Sequence, residues 1–369
     1  MSACARCLRR TALLASLGAH IELARARGLR LPGLLGLGDE QLIAALAPGR
    51  GHELRVGHEA FDPAIARAAV SAVGLRTTCR CEQARYPPAL RALPDPPAVI
   101  HMGGGRAGKQ GGLARLEPGR SVAVVGARRA SRYGLEVAHR LGRDLALAGA
   151  CVVSGLALGV DAAAHEGAVE AGGQTVAVLG GGADVPYPAG KRPLYDRILA
   201  AEGLVISEMP PGFRAFRWSF PARNRIIAAL CSVTVVVEAA ERSGSLITAD
   251  LAGGCGREVG AVPGRVTAPM SVGTNALLAD GAHVVRDAAD VLGLLDELAP
   301  AGLAPAARAA SRAGLEPRLR TLLEAVASGQ DTLEAVSDGP GARSALSGLS
   351  ELELLGLLRR RPGGRYVLV

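Results

Sequence analysis

The chain has no long apolar run and almost no lysine, and each shortage limits what the protein can be. No apolar segment in the 369 residues approaches the roughly 18 that a membrane-spanning helix needs, so we expect a soluble protein without a membrane partner. Lysine occurs only as Lys109 and Lys191, and arginine supplies the rest of the basic residues behind the net charge of +8. A basic chain favours a polyanionic partner, but arginine usage also follows codon bias, so charge alone does not establish one.

Disulfide bonds are not expected, because seven cysteines are an odd number in a chain large enough to fold without them. This usage predicts a reducing, cytoplasmic location. Cys4 and Cys7 form a CxxC, and Cys79 and Cys81 form a CxC much later in the chain. The second pair lacks the spacing usual in zinc sites, so no metal site is predicted, and metal binding by these four is left open. Core packing is predicted for Cys151, Cys231 and Cys255.

Composition divides the chain into five segments. The first begins with "CLRRTALLASLGAH", which continues in helical spacing with charges and therefore predicts a first helix rather than an export signal. Proline and glycine are concentrated before Ser121, and alanine and proline after Leu298. The predicted domains are a small helical N-terminal domain at 1–85, a Pro/Gly-rich connector at 86–120, an α/β domain at 121–297, an Ala/Pro linker at 298–314 and a C-terminal winged helix at 315–369, where helices precede "LLRRRPGGRYVLV".

One motif repeats from Ser121 to about Leu295: a short β-branched run, a loop rich in glycine, serine or proline, and a helix rich in alanine and leucine. Continuous apolar strands that alternate with helices are typical of a parallel sheet with both faces covered. We therefore predict an α/β, doubly wound, mostly parallel sheet. Its strands are expected at 122–125, 151–153, 175–179, 204–206, 233–237, 258–262 and 283–285.

The loops after these strands lack the signatures of common nucleotide enzymes. Gly126 ends the first strand, but Arg128, Arg129 and Arg132 follow where GxGxxG would place glycines, and Ser154 replaces the ribose-binding acid after the second strand. A nicotinamide dehydrogenase is thereby disfavoured, and the absence of a P-loop disfavours ATP hydrolysis by that route. Loops at these strand ends, followed by helix N-termini, still suit a phosphate.

The chain has one tryptophan, five tyrosines and four phenylalanines, yet four of these rings lie in "PPGFRAFRWSFPARNRIIAAL" (210–230) among arginines. Aromatic faces for bases, set among cations for the backbone, are typical of single-strand binding. We expect Phe213 and Trp218 to pack on the core, and Arg217 and Phe220 to have the functional role, because they precede a helix at the ligand-binding end of the sheet.

Eight motifs in order from about 86 to 290 resemble the DNA-processing protein A family, also called DprA or Smf. They are "VAVVGARRASRYG", "VVSGLALGVDAAAHEGA", "TVAVLGGGADVPYP", "LVISEMPPG", "FPARNRIIAAL", "VVVEAAERSGSLITA", "GREVGAVPG" and "GTNALLADGA". The resemblance implies an extended Rossmann-like domain that dimerises, binds single-stranded DNA and helps load RecA recombinase during natural transformation. At Leu158 this chain departs from the family, whose members commonly have arginine or lysine there.

Residues are assigned to the DNA interface from the strand-end loops and from this resemblance. The family's phosphate motif falls on Gly126 to Arg128, and its base-contacting phenylalanine falls on Phe220. The full predicted set is Gly126, Ala127, Arg128, Ser154, Gly155, Arg217, Phe220, Arg223, Asn224, Ser243, Gly244 and Ser245.

Catalysis is not predicted. Asp161 and His165 share a helical face, but no nucleophile accompanies them, so we expect both to be structural. Glu208 and Glu238 end strands and are expected to position an arginine. The alternative is a nucleotide-binding enzyme of the phosphoribohydrolase type, whose PGGxGT loop is here replaced by "ERSGSLITA". We expect no catalytic residue, cofactor or metal, and we expect single-stranded DNA, RecA and a second copy of the chain as partners.

Overall fold

The computed structural model describes residues 3–47, 49, 51–82, 84–105, 113, 119–298, 315–337, 342–354, 357–360 and 364–368. Two compact units make up the chain, and the division between them follows Leu298. The predicted Ala/Pro linker lies outside the described residues apart from Leu298, as do residues 106–112 of the Gly-rich stretch. The division into five segments remains a prediction.

A nine-stranded sheet is the framework of the first unit. Its strands are β1 (Arg76–Cys79), β2 (Val99–Gly104), β3 (Ser121–Val125), β4 (Cys151–Ser154), β5 (Thr175–Val178), β6 (Leu204–Ser207), β7 (Val233–Val236), β8 (Glu258–Ala261) and β9 (His283–Val284). They lie in the order β1-β2-β6-β5-β4-β3-β7-β8-β9. The strands from β3 to β9 are mutually parallel, whereas β2 is antiparallel to both β1 and β6. The seven predicted strands are all present, and the mostly parallel α/β sheet is confirmed.

The strand order reverses at β3, and this reversal determines where a ligand can enter. The chain moves away from β3 through β4, β5 and β6, and then returns to place β7 on the other side of β3. Val125 pairs with Val236 at the carboxyl ends of these two strands. At such a switch point the loops that leave the two strands diverge and open a crevice. Here the crevice lies between the loops that begin at Gly126 and Val237.

Helices cover both faces of the sheet, as expected for a doubly wound fold. Ile226, Ile227 and Leu230 pack in one core cluster with strand residues, and Leu141 and Leu145 pack in another on different strand side chains. None of the described helices is both long and apolar enough to cross a membrane. Their bounds are α1 (Ala5–Ser16), α2 (Gly18–Ala26), α3 (Leu31–Leu35), α4 (Asp39–Leu46), α5 (Gly51–Glu59), α6 (Pro63–Ala72), α7 (Pro88–Arg91), α8 (Arg132–Leu147), α9 (Val160–Glu170), α10 (Arg192–Ala200), α11 (Ser219–Leu230), α12 (Gly244–Gly254), α13 (Val272–Ala279) and α14 (Ala288–Leu298).

The N-terminal helices share a core with the segment that leads into α11. Leu17, Ile21 and other apolar residues of α1 to α4 form one buried cluster with Met209 and Trp218. The interval predicted as a connector at 86–120 contributes α7 and β2, and β1 pairs with β2 at the edge of the sheet. Pro88 starts α7 because the first turn of a helix needs no N–H donor.

In the described residues of the second unit, three helices precede a hairpin: α15 (Pro317–Ala327), α16 (Leu333–Val336), α17 (Ala342–Leu354), β10 (Leu358–Arg360) and β11 (Tyr366–Leu368). Thr332 forms an antiparallel bridge with Arg365. Leu319, Leu323 and Tyr366 lie in its buried core. The order of elements is the one that the sequence predicted, and the winged-helix assignment remains a prediction.

Candidate nucleic-acid interface

A groove of about 730 Å³ opens at the switch point, between the loops after β3 and β7. Residues of α11 and the N-terminus of α12 also line it. Because the fold brings several separate segments of the chain to this place, residues far apart in sequence become neighbours. The lining contains most of the predicted interface residues, namely Gly126, Ala127, Arg128, Arg217, Phe220, Arg223, Asn224, Ser243, Gly244 and Ser245. Their role in DNA binding stays a prediction.

The loop after β3 is held against the end of β7 by Glu238. A Cβ at Gly126 would lie 2.9 Å from the Glu238 carbonyl oxygen, which accepts the Ala127 N–H at 2.7 Å. The Glu238 carboxylate accepts the Ser131 N–H at 2.8 Å and its hydroxyl at 2.6 Å. Ser131 also caps the N-terminus of α8, as the sequence predicted. Glu238 therefore fixes the loop that presents Arg128, instead of holding an arginine itself.

Phe220, in the first turn of α11, has two contacts through its ring, one with Arg128 and one with Tyr187. The guanidinium carbon of Arg128 lies 5.1 Å from the centre of the Phe220 ring, which is within the range of a cation–π interaction. The Tyr187 ring lies 5.3 Å away, tilted by 38°. Tyr187 comes from the loop after β5 and lines the same groove, although it was not among the predicted residues. The groove thus contains an aromatic pair with a cation over one of its rings.

The other three rings of the aromatic segment face away from the groove. Trp218 is fully buried, and its indole Nε1–H donates to the Gly18 carbonyl oxygen at 2.8 Å. A Cβ at Gly18 would lie 2.7 Å from the Phe216 ring, so glycine is needed for this approach of α2. Phe213 packs against the same cluster. The structural role predicted for Phe213 and Trp218 fits this geometry.

Positive charge around the groove comes from exposed arginines. Within the described part of the chain, no carboxylate pairs with any of them. Three of them are outside the predicted set: Arg25 lies on α2, Arg129 follows Arg128 in the loop after β3, and Arg242 lies in the loop after β7. Leu158, where the family commonly has a basic residue, is 48% exposed and adds no charge. The exposed arginines of the lining are Arg25, Arg128, Arg129, Arg217 and Arg242.

Arg223 also lines the groove, but unlike the exposed arginines it is buried and hydrogen-bonded to the backbone. It donates to the Val178 carbonyl oxygen at 2.9 Å and lies 4.0 Å from the Asp161 carboxylate. Burial raises the pKa of Asp161 and lowers that of Arg223, while the attraction between the two charges opposes both shifts. Asp161 also accepts the N–H groups of Gly155 at 3.1 Å and Ala157 at 3.4 Å. This pair shapes the loop after β4.

Ser154 and Gly155 do not line the groove, and their role at the DNA interface stays a prediction. Ser154 is fully buried, and its hydroxyl donates to the Val124 carbonyl oxygen at 2.7 Å. The Gly155 N–H is occupied by Asp161, and a Cβ at this position would collide with the Arg223 guanidinium. These hydrogen bonds stabilise the loop after β4 and occupy the Ser154 hydroxyl and the Gly155 N–H.

The groups that resembled catalytic ones have structural partners. Burial lowers the pKa of His165 to about 3, which keeps the ring neutral, and its Nδ1 lies 2.7 Å from Thr175 Oγ1. Arg225 is buried between two acids, donating to Glu208 at 2.8 and 2.9 Å and to Asp95 at 2.9 Å. Burial alone would lower the pKa of Arg225, but these carboxylates raise it overall. Glu208 therefore holds an arginine, as expected for one of the two glutamates.

The N-terminus of α12 lines the groove through Ser243, Gly244 and Ser245. The Ser243 hydroxyl caps this helix by accepting the Ser245 N–H at 3.4 Å, and the two hydroxyls lie 2.8 Å apart. Asn224 donates to the Gly244 carbonyl oxygen at 3.4 Å and so connects α11 to α12. A helix N-terminus presents free N–H groups and the positive end of the helix dipole, which favours an anion.

The sequence of this chain is similar to those of known proteins. The family model of DNA recombination-mediator protein A matches residues 77–296. A protein of Mycobacterium tuberculosis, provisionally named DNA processing protein DprA, is 43% identical over 265 residues, which are 70% of this chain and 67% of that protein.

Two solved structures are also similar. DNA processing protein A from Streptococcus pneumoniae aligns over 79% of this chain and 98% of its own, with 31% identity and a TM-score of 0.60. The Helicobacter pylori protein, described with a single-stranded DNA binding mode, aligns over 61% and 96%, with 31% identity and a TM-score of 0.52. The chain belongs to the family of DNA recombination-mediator protein A, known as DprA or Smf.

Proposed function

We propose that the chain binds single-stranded DNA in the switch-point groove and acts as a recombination mediator on DNA taken up by the cell. The observation that supports this most is the Phe220–Tyr187 ring pair set among five exposed arginines that have no acidic partner in the described chain. Stacking on such rings is available to any base, and arginines can follow the phosphates. The site therefore suits a polymer of any sequence.

A single strand fits this arrangement better than a duplex. Stacking on Phe220 or Tyr187 needs a base whose face is free, whereas both faces of a base in a duplex are covered by its neighbours. In the unbound groove the face of Phe220 is partly covered by Arg128. We infer that a phosphate draws the Arg128 guanidinium off the ring, so that the same event forms an ion pair and frees the ring for a base.

The remaining parts of the proposal rest on the family resemblance. They are a RecA recombinase as protein partner and a dimer of this chain, whereas the proposed cytoplasmic location rests on the free cysteines. The groove has little to offer a hydrolase: among its described lining residues Asp161 is the one acid, it is buried and hydrogen-bonded, and neither histidine nor cysteine is present. We therefore propose a binding function without catalysis.

The test is a comparison of oligo-dT with duplex DNA of equal length across a salt series. We expect tighter binding of the single strand, with the logarithm of affinity falling by about 0.7 per contacted phosphate for each decade of salt. Equal affinity for the duplex would refute the proposal. Incubation with nucleoside monophosphates is the parallel assay, since release of free base would support the phosphoribohydrolase alternative.

A further inference from the structure

Four cysteines from distant parts of the sequence converge at the edge of the sheet. The Sγ atoms of Cys4, Cys7 and Cys79 all lie within 4.8 Å of one another. The Cys81 Sγ lies 3.5 Å from the Cys7 Sγ. In the described part of the chain, this is the one place where three or more potential metal ligands come so close. None of the four cysteines lines the groove.

Local structure places the four sulfurs on facing surfaces. Cys4 is the N-cap of α1 and Cys7 lies in its first turn, so a spacing of three puts both thiols on the same face. Cys79 ends β1, and Cys81 follows in the turn after it. The Ala3 N–H donates to Thr77 Oγ1 at 3.0 Å, which fixes the start of α1 against β1. The CxC pair therefore has a CxxC partner, although no regular sequence spacing connects the two.

The separations fit a single tetrahedral ion. Zinc–sulfur bonds of about 2.3 Å place the ligand sulfurs of a tetrahedral site about 3.8 Å apart. The Cys7 and Cys81 sulfurs are 3.5 Å apart, and no two of the Cys4, Cys7 and Cys79 sulfurs are more than 4.8 Å apart, so these separations are compatible with this value. Cys81 is not one of the three cysteines that share the 4.8 Å limit, so the fourth sulfur reaches the common centre only if the exposed Cys81 side chain rotates. An iron–sulfur cluster would place its own iron and sulfide atoms between the cysteines and needs a wider arrangement.

We propose that Cys4, Cys7, Cys79 and Cys81 form a structural tetrathiolate zinc site that fastens α1 to the edge strand of the sheet. Four thiolates around Zn²⁺ leave a net negative charge, and the Arg6 guanidinium lies 3.3 Å from the Cys81 Sγ, where it offsets that charge. No position remains open for a substrate when four cysteines ligate the ion, which is the pattern of structural sites.

Zinc binding also releases protons from the cysteine thiols. Zinc takes the thiolates as ligands, and the displaced protons leave to solvent. Because the ion joins two segments that are separate in the unfolded chain, its binding free energy adds to the stability of the fold.

The first measurement is the metal content of the full chain, produced without a histidine tag and analysed by elemental mass spectrometry. We expect one zinc per chain, and loss of most of it in the double variant Cys4→Ser/Cys81→Ser. These two positions are chosen because they are the less buried members, so the variant retains its fold. Cys255→Ser is the matched control, since Cys255 is also partly buried but lies outside the cluster, and it should keep the metal.

The second measurement uses Co²⁺ added to chelator-treated chain. Four thiolates should give an intense sulfur-to-cobalt charge-transfer band together with the visible bands of tetrahedral Co²⁺, and both should disappear on addition of zinc. In Cys81→Ser alone, the charge-transfer band should lose about a quarter of its intensity, as expected for three thiolates in place of four.

Specific outcomes would overturn the assignment. Stoichiometric iron would refute zinc as the ion, and a Cys7–Cys81 disulfide in the freshly purified chain would refute metal ligation. Equal cobalt spectra for the wild-type chain and the double variant would do the same. Oligo-dT binding is measured alongside as a separate readout, so failure of the zinc site is distinguishable from failure of the DNA groove.

Discussion

Arg128 covers the ring of Phe220, with the guanidinium carbon 5.1 Å from the ring centre. One residue follows the first parallel strand and the other lies on α11, and both line the switch-point groove. In the unbound groove, the Arg128 guanidinium therefore lies over the ring on which we expect a base to stack. Charge and stacking are therefore separable by mutation at these two positions.

Arg128→Ala should weaken oligo-dT binding roughly tenfold, because a charged contact to a phosphate is lost. The loss should be similar for oligonucleotides of different sequence, and the salt slope should fall by about 0.7. Fluorescence anisotropy at several salt concentrations measures both quantities. Arg140→Ala is the control, since Arg140 is exposed on α8, pairs with Asp144 at 3.5 Å and lies outside the groove. An unchanged slope in Arg128→Ala would show that Arg128 contacts no phosphate.

Phe220→Ala should cost about 1–3 kcal/mol of binding free energy while leaving the salt slope unchanged. The physical reason is that a stacking surface disappears and no charge does. Phe220→Tyr keeps an aromatic face and should bind nearly as the wild type does. The same anisotropy titrations provide the comparison. Wild-type affinity in Phe220→Ala would mean that bases stack elsewhere.

Trp218→Phe should lower the free energy of unfolding by about 1–3 kcal/mol, because the buried Gly18 carbonyl oxygen loses its donor. Denaturant unfolding followed by circular dichroism measures this, since Trp218 is the only tryptophan of the chain. Tyr133→Phe removes an exposed donor to the Pro263 carbonyl oxygen and should change stability by less than about 0.5 kcal/mol. Equal stability of the two variants would contradict the role of Trp218 as the anchor of α2.

Acid should destabilise the fold partly through two buried histidines. Burial lowers the pKa of His165 to about 3 and that of His101 to about 4. Below about pH 6.5 the unfolded chain protonates these rings while the folded chain does not, so stability falls as the pH falls. The contribution is about 1.4 kcal/mol per pH unit for each ring, lost progressively down to its folded pKa.

His165→Gln tests this sign. The variant should show a shallower loss of unfolding free energy between pH 6.5 and pH 4.5 than the wild type, by up to about 1.4 kcal/mol per pH unit. His283→Gln changes an exposed ring that contacts Glu258, and serves as the control. Urea unfolding at four or five pH values is sufficient. Parallel pH profiles for wild type and His165→Gln would show that His165 titrates normally in the fold.

Strand positions could be read from the sequence because each buried parallel strand is a short continuous apolar run. The groove could also be located, since a parallel sheet places the loops after its strands at one edge. The chemistry of Arg128 and Phe220 followed from their residue types in those loops. These inferences need local pattern and topology, and both are present in one sequence.

The contacts made by distant segments could not be read in the same way. No sequence motif near Arg25 predicts that α2 lies at the groove. The spacing between the CxC at Cys79 and the CxxC at Cys4 does not predict that the two pairs come together. The Ser154 hydroxyl donates to the Val124 carbonyl oxygen, and the sequence does not distinguish such a serine from one whose hydroxyl faces a ligand. In each case the role of the side chain depends on its contacts in the folded chain, and tertiary packing determines those contacts.

The most direct test of the groove is photo-crosslinking to an oligo-dT strand that contains 5-iododeoxyuridine, followed by mass spectrometry of the attached peptide. Aromatic side chains stacked on the halogenated base react preferentially, so we expect the crosslink at Phe220 or Tyr187. Phe220→Ala should reduce the yield at that site, whereas the exposed Arg140→Ala should not. Crosslinks confined to residues 315–368, with none at the switch-point groove, would contradict the account.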